Sequence, residues 1–125
     1  MRFTSNVAQS KTGTAGGGAI AHNGDTFTDN ASTFSGNSAR SGRSSGSAYG
    51  GALLLQQSTT LNATTVTFNR ALANEGYGGG VAVPPGPDVL TQAQTTIRFN
   101  LATTAGDDLW WLASSANRAG ATASD

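Results

Sequence analysis

A repeat of about 31 residues is the feature of this sequence that most restricts its fold. The repeat consists of an apolar residue, two variable residues, Asn, one variable residue and Ala. It occurs four times, as Phe3-T-S-Asn6-V-Ala8, Phe34-S-G-Asn37-S-Ala39, Val66-T-F-Asn69-R-Ala71 and Ile97-R-F-Asn100-L-Ala102. Successive asparagines are 31, 32 and 31 residues apart. Such a period is typical of solenoids, in which each repeat buries its apolar side against neighbouring repeats.

A second signature, a glycine pair before apolar residues, follows each copy of the first. Its versions are Gly17-Gly18-Ala19-Ile20, Gly50-Gly51-Ala52-Leu53, Gly79-Gly80-Val81-Ala82 and the degenerate Gly106-Asp107-Asp108-Leu109. The apolar runs at residues 19–21, 52–55, 81–83 and 109–112 are short and flanked by glycine, which favours strands over helices. Paired glycines suit a corner that needs positive φ or close backbone approach. Asn is expected at a second bend, because it tolerates the left-handed conformation.

Together the two signatures predict an all-β fold, a parallel β-helix of about three to four rungs over residues 1–112. Residues 113–125 are expected to form an Ala/Ser-rich tail or cap. Stacking at about 4.8 Å per rung aligns equivalent residues. This predicts an interior column of Phe3, Phe34, Val66 and Ile97 and a ladder of bonded amides formed by Asn6, Asn37, Asn69 and Asn100. A slipped register with Phe68-Asn69 and Phe99-Asn100 as the motif remains an alternative.

The composition fits a thin coil better than an ordinary globule. Of the 125 residues, 76 are Ala, Gly, Ser, Thr or Asn, and only 21 are Leu, Ile, Val or Phe. The formal net charge is zero, so charge repulsion does not hold the chain open, and no basic stripe indicates nucleic acid. The absence of cysteine excludes disulfides and thiolate metal sites. No apolar run approaches the roughly 18 residues of a membrane span.

The pairing of G-G-A-[IL] with F-x-x-N resembles the repeats of chlamydial polymorphic outer-membrane proteins and related autotransporter-like adhesins. The resemblance covers roughly residues 3–112, although Val66 and Ile97 replace Phe in the third and fourth copies. It implies a right-handed β-helix at the cell surface or outside the cell, serving as an adhesin passenger or stalk. Because no signal peptide or cap precedes Phe3, we expect a fragment of a longer protein with possible end-to-end self-association.

Parallel β-helices also include carbohydrate-active enzymes of the pectin-lyase type, so the carboxylates need examination. Asp25 and Asp29 have no aligned partners one repeat later, and no acidic row follows the coil. Asp107 and Asp108 are adjacent, so in a strand their side chains would point to opposite faces of the sheet. They can bind the same ion only if they lie in a loop. The sequence therefore predicts no catalytic residue, cofactor or metal site, with a carbohydrate-active enzyme or glycan-binding module as the alternative. The single histidine, His22, is expected at an Asn-Gly turn.

Trp110 and Trp111 are the strongest candidates for contact with a partner, such as a host-surface protein or glycan. Tryptophan is frequent at interaction hot spots, although capping or packing of the coil is the favoured explanation of the pair. Residues 39–49 and 84–88 are expected to loop out of the rungs. The sequons that begin at Asn30 and Asn62 are expected to be repeat-encoded turns.

Overall fold

The computed structural model describes residues 1–42, 46–83, 90–111 and 118–123, and it confirms a parallel β-solenoid. Every regular element in these ranges is a strand, and every strand pairing is parallel. No helix in the described ranges has the length and apolar character needed to cross a membrane.

Four sheets run along the solenoid axis, and each rung adds strands to them. Sheet A contains β1 (Arg2–Thr4), β5 (Phe27–Asn30), β6 (Thr33–Ser35), β10 (Thr59–Asn62), β11 (Thr65–Thr67), β15 (Leu90–Arg98) and β18 (Arg118–Ala123). Sheet B contains β2 (Val7–Ser10), β7 (Ser38–Ser41), β12 (Arg70–Leu72) and β16 (Leu101–Ala102). Sheet C contains β3 (Thr14–Gly16), β8 (Ser47–Tyr49) and β13 (Glu75–Tyr77), and sheet D contains β4 (Ile20–His22), β9 (Leu53–Leu55), β14 (Val81–Val83) and β17 (Leu109–Trp111).

The apolar column predicted from the repeat is confirmed by the register of sheet A. Phe3 pairs with Phe34, Phe34 with Val66, and Val66 with Ile97. The Phe3 and Phe34 rings stack in parallel, with centroids 4.7 Å apart. All members except Phe3, which lies in the first rung, are fully buried. This register excludes the slipped alternative.

The asparagine ladder is also confirmed, and it bonds the backbone as well as the side chains. Asn37 Oδ1 accepts hydrogen bonds from both the backbone N–H and Nδ2 of Asn6, at 2.9 Å each. Asn69 accepts the same pair from Asn37, and Asn100 accepts it from Asn69. Each later Asn also donates from Nδ2 to a carbonyl of the preceding rung, as Asn69 does to Phe34. One side chain per rung therefore satisfies several buried polar groups at the bend.

The left-handed residue at this bend is the one before Asn, which corrects the role expected for Asn. Positive φ occurs at Ser5, Gly36, Phe68 and Phe99, with values of 56°, 68°, 58° and 60°. The reversal turns the Asn side chain inward onto the ladder and leaves the preceding side chain outside. Phe68 and Phe99 are accordingly 61% exposed each, although non-glycine residues, and bulky ones above all, rarely adopt this conformation.

The glycine corner divides its two expected tasks between two adjacent positions. Gly50 has a φ of 65°, whereas a Cβ on Gly51 would lie 2.0 Å from the Gly79 carbonyl oxygen. The first glycine therefore supplies the turn and the second permits close stacking. The predicted alignment at the third copy was wrong by one residue. Because Val81 pairs with Leu53, the equivalent segment is Gly78-Gly79-Gly80-Val81.

Alanine fills the narrow half of the interior, which explains the low hydrophobic content. Buried alanines from sheets B and C form one cluster, and the large apolar residues form another. The first cluster consists of Ala15, Ala39, Ala48, Ala71 and Ala102. Small side chains suffice there because neighbouring walls of the coil lie close together.

One sequence-based expectation needs correction, and the expected tail or cap contains a strand. The expected loop at residues 39–49 contains the ends of β7 (Ser38–Ser41) and β8 (Ser47–Tyr49), because Ala39 and Ala48 belong to the buried alanine cluster. The expected tail contains β18 (Arg118–Ala123), which pairs with β15 and extends sheet A beyond residue 112. Arg43 and the proline segment 84–88 lie outside the described residues.

Asp107 and Asp108 end the ladder of hydrogen bonds at the fourth rung, beside β16, the last strand of sheet B. Asp108 is 3% exposed, and its Oδ1 accepts hydrogen bonds from the backbone N–H and Nδ2 of Asn100, at 2.9 and 2.8 Å. Asp107 Oδ1 accepts a hydrogen bond from the Ala102 N–H. Asp108 thus takes the place that a fifth asparagine would occupy in the ladder.

We expect Asp108→Ala to lower the free energy of unfolding by about 2–3 kcal/mol, because two donors of Asn100 lose their acceptor. Asp108→Asn retains Oδ1 and is the matched control, with an expected loss below about 1 kcal/mol. Urea unfolding followed by circular dichroism measures both. Equal losses in the two variants would contradict the ladder role of Asp108.

Gln92 is a polar mismatch inside the coil. Its backbone pairs in register with that of Leu61, one rung earlier in sheet A. Both side chains are buried, and Gln92 is only 1% exposed. Neither its Nε2 nor its Oε1 has a hydrogen-bond partner in the part of the chain that the structure describes. Unsatisfied buried amides are costly, so this position carries an avoidable destabilisation.

We expect Gln92→Leu to raise the free energy of unfolding by about 1–2 kcal/mol, since it removes, at similar volume, a buried amide that has no partner among the described residues. The reverse exchange one rung earlier, Leu61→Gln, is expected to lower it by a similar or larger amount. Thermal unfolding of both variants tests the pair. A melting temperature that falls for Gln92→Leu would show that the amide is satisfied in solution.

Candidate functional site

The outer corner between sheets A and B carries a recess, produced by one glycine among larger residues. Ser5, Gly36, Phe68 and Phe99 occupy equivalent positions on successive rungs, each just before its ladder Asn. The Phe68 and Phe99 rings stack with centroids 5.6 Å apart. Gly36 has no side chain to continue this stack, so space remains beside Phe68 at the second rung.

This corner pocket has a volume of about 300 Å³ and is lined by Gly36, Asn37, Ser38, Arg40, Phe68, Arg70 and Leu72. Strand β7 supplies Ser38 and Arg40, and β12 supplies Arg70 and Leu72. Ser38 pairs with Arg70 and Arg40 with Leu72, so neighbouring rungs place two arginines around one recess. The pocket lining therefore combines one aromatic residue, two arginines and the polar residues Asn37 and Ser38.

Ser38 is the buried polar group of the pocket. The residue is 7% exposed, and its Oγ has no hydrogen-bond partner among the described residues. The equivalent positions on the other rungs are Val7, Arg70 and Leu101, so the scaffold itself does not require a hydroxyl there. Buried hydroxyls normally find partners, which makes Ser38 an unexplained polar group at a cavity wall.

The charged residues that line the corner pocket are all positive, although the whole chain has a formal net charge of zero. None of the described lining residues is acidic. Arg98, one rung further, lies with its guanidinium 5.1 Å from the centroid of the Phe99 ring. The sequence shows no basic stripe because Arg40, Arg70 and Arg98 are separated by about one repeat each. Aligning the residues that precede each Asn would have revealed the Gly36 and Phe68 contrast.

A second outer feature is an aromatic cluster formed by Tyr49, Tyr77 and Trp110. The Tyr77 centroid lies 4.7 Å from that of Trp110 and 5.5 Å from that of Tyr49. All three side chains are partly exposed. Trp110 therefore packs laterally against two rungs rather than covering the open end of the coil. The backbone of Trp111 pairs with Val83, and its side chain lies outside the described residues.

The remaining chemically reactive candidates have structural surroundings. His22 ends β4, and its Nε2 lies 3.1 Å from the Asp25 carbonyl oxygen at the predicted turn. Asp107 and Asp108 accept backbone hydrogen bonds, as described above. Among the residues that the structure describes, no three His, Asp or Glu side chains are grouped to hold a metal ion. The ladder residues lie in the interior, apart from the first-rung members Phe3 and Asn6.

The two sequons occupy repeated turns at the end of β5 and β10. Asn62 Nδ2 donates to Asn30 Oδ1 at 3.2 Å, and the following residues Ala31 and Ala63 have φ values of 60° and 49°. Thr64 is fully buried, and its hydroxyl donates to Asp29 Oδ2. These contacts support the predicted role of the asparagines in repeat-encoded turns.

The fold defines the class of this protein as an all-β parallel solenoid with its interior built on an asparagine ladder. No protein-family model, curated protein or solved structure matches the chain. The resemblance to polymorphic outer-membrane protein repeats stays a prediction from the motifs alone.

We expect Tyr77→Ala to lower the free energy of unfolding by about 2 kcal/mol, because Tyr77 joins Tyr49 and Trp110 across two rungs. Tryptophan emission should shift to longer wavelength as Trp110 gains contact with water. Phe99→Ser removes an exposed aromatic residue and is the control, with an expected loss below about 1 kcal/mol. An equal loss in both variants would indicate that the cluster adds no specific stability.

Proposed function

We propose that the chain is a non-enzymatic β-helix module of a cell-surface or extracellular protein, acting as an adhesin passenger or structural stalk. The observation that carries this proposal is the contrast between inward and outward positions. The residue after each ladder Asn differs on every rung and is exposed on three of the four, whereas the next position is alanine on all four. The varied residues are the exposed Val7, Arg70 and Leu101 and the buried Ser38, and the alanines are Ala8, Ala39, Ala71 and Ala102.

A repeated interior with a varied exterior is suited to displaying different side chains at fixed spacing. The Asn ladder holds the rungs in register without a large apolar core. Solenoids of this kind present long binding surfaces, since each rung adds an equivalent set of outward positions. The motif resemblance to outer-membrane adhesin repeats supports a location at the cell surface or outside the cell.

The proposal includes stacking through the first rung. Its strands β1, β2, β3, β4 and β5 each lie at an edge of their sheet, with one row of backbone groups facing away from the solenoid. Such edges pair readily with further strands. A preceding rung of a longer protein, or a second copy of this chain stacked end to end, satisfies them equally well.

A glycan-binding module or carbohydrate-active enzyme is the second candidate. The aromatic cluster of Tyr49, Tyr77 and Trp110 favours sugar binding, because aromatic faces pack well on sugar rings. Catalysis is less well supported. Asp107 and Asp108, the adjacent carboxylates, accept hydrogen bonds from backbone amides at a sheet edge.

The test labels intact cells of the organism that produces this protein with an antibody raised against the chain. We expect labelling without permeabilisation, and beads coated with the purified chain distinguish adhesion from a stalk role by whether they bind target cells. Labelling that requires permeabilisation would contradict the surface location. Turnover of polyuronates that Asp107→Asn or Asp108→Asn abolishes would replace the proposal with the enzymatic alternative.

A further inference from the structure

We propose that the corner pocket binds a carboxylate-bearing sugar ring, that is, a uronic acid residue. The inference concerns a site separate from the aromatic cluster, and it does not depend on where the parent protein is located. Three kinds of residue line the pocket: the arginines Arg40 and Arg70, the aromatic Phe68 and the hydroxyl-bearing Ser38.

The two arginines select for a carboxylate. Arg40 and Arg70 are exposed and line the same recess, and neither forms a salt bridge with a described residue. A guanidinium group presents a planar set of donors that matches the two oxygens of a carboxylate. Because no described lining residue is acidic, an anion there meets attraction without local repulsion.

Phe68 selects for a flat apolar surface on the ligand. Its ring is fixed by stacking on Phe99, and it also lines the recess left by Gly36. A pyranose ring has one face rich in C–H groups, which packs favourably on an aromatic face. The wall thus positions a ring whose carboxylate can reach the arginines.

The polar residues of the pocket lining favour a sugar over a purely aromatic acid. Apart from Phe68 and Leu72, the lining residues are polar or glycine. Ser38 Oγ is buried and has no hydrogen-bond partner among the residues that the structure describes, so a ligand hydroxyl that reaches it gives this group a hydrogen bond. Access requires the flexible arginine side chains to turn toward the carboxylate. The volume of about 300 Å³ lies at the lower end for ligand pockets, which suits a single ring.

The experiment titrates the ¹⁵N-labelled full chain with D-glucuronate and follows backbone amide shifts. We expect saturable shifts centred on Gly36, Asn37 and Ser38, and binding at least about tenfold weaker for neutral D-glucose, which lacks the charge-assisted hydrogen bonds. Binding should weaken as salt is added. Acetate, which carries the carboxylate without the ring, should bind more weakly than glucuronate.

Matched variants separate the pocket from the surrounding surface. Arg70→Gln and Phe68→Ser should each weaken glucuronate binding about tenfold. Arg98→Gln changes an arginine of the next rung that does not line the pocket, and it should alter the affinity less than about twofold. Serine is a suitable replacement because Ser5 adopts the same left-handed conformation on the first rung.

Gly36→Phe provides an independent test by occupying the recess. Phenylalanine is accommodated at this position on the next two rungs, with φ values of 58° and 60° against 68° at Gly36. The variant should retain the wild-type melting transition and lose the glucuronate-induced shifts. If it fails to fold, the comparison of Arg70→Gln with Arg98→Gln still decides the question.

Several results would overturn the proposal. Equal affinity for glucose or acetate would remove the requirement for a carboxylate on a ring. Equal losses in the Arg98→Gln and Arg70→Gln variants would indicate a diffuse charge effect. Tighter binding of a tetraglutamate peptide at the same amides would identify an acidic peptide as the ligand class instead.

Discussion

The hydrogen bonds between asparagine side-chain amides of successive rungs are the interaction on which this fold depends. Each ladder Asn receives two hydrogen bonds on one oxygen and returns one to a carbonyl of the rung before it, apart from the first-rung Asn6. These bonds satisfy backbone groups at a bend where strand pairing is interrupted. They also fix the register, since a shift by one residue would move Asn37 out of the interior and expose Phe34. A coil with so few large apolar residues needs such a directional constraint.

The interior was predictable because it repeats. The positions of Phe34, Val66 and Asn69 follow from one period, and a period that spans the chain has few physical explanations. The strands after the glycine corners were predictable for the same reason. Where the repeat varies in length, as between Gly50 and Gly78, sequence alignment alone misplaced the corner by one residue.

The candidate site was not predictable, because it arises from differences between rungs. Neither Gly36 nor Phe68 stands out alone in the sequence. The difference in size between them indicates a recess only when the residues that precede each ladder Asn are aligned. Arg40 and Arg70 are distant in sequence and adjacent in space. The left-handed bend was also assigned to Asn, although steric exclusion of the preceding residue from the crowded interior makes Phe68 and Phe99 the left-handed residues. Asp108 was considered as an ion ligand rather than as a substitute for Asn.

The position of Asp108 has an electrostatic consequence for the whole ladder. Along the ladder each amide oxygen accepts from the rung before it, and Nδ2 donates to the amide oxygen of the next rung, so the C=O dipoles are aligned with their positive ends toward the fourth rung. The alignment terminates on the side chain of an aspartate. An acidic side chain at the positive end of aligned dipoles is the arrangement that stabilises helix N-termini. The solenoid therefore has a dipole along its axis, and a rung stacked before Asn6 that continues the pattern must donate to the Asn6 amide oxygen and offer a backbone carbonyl to its Nδ2.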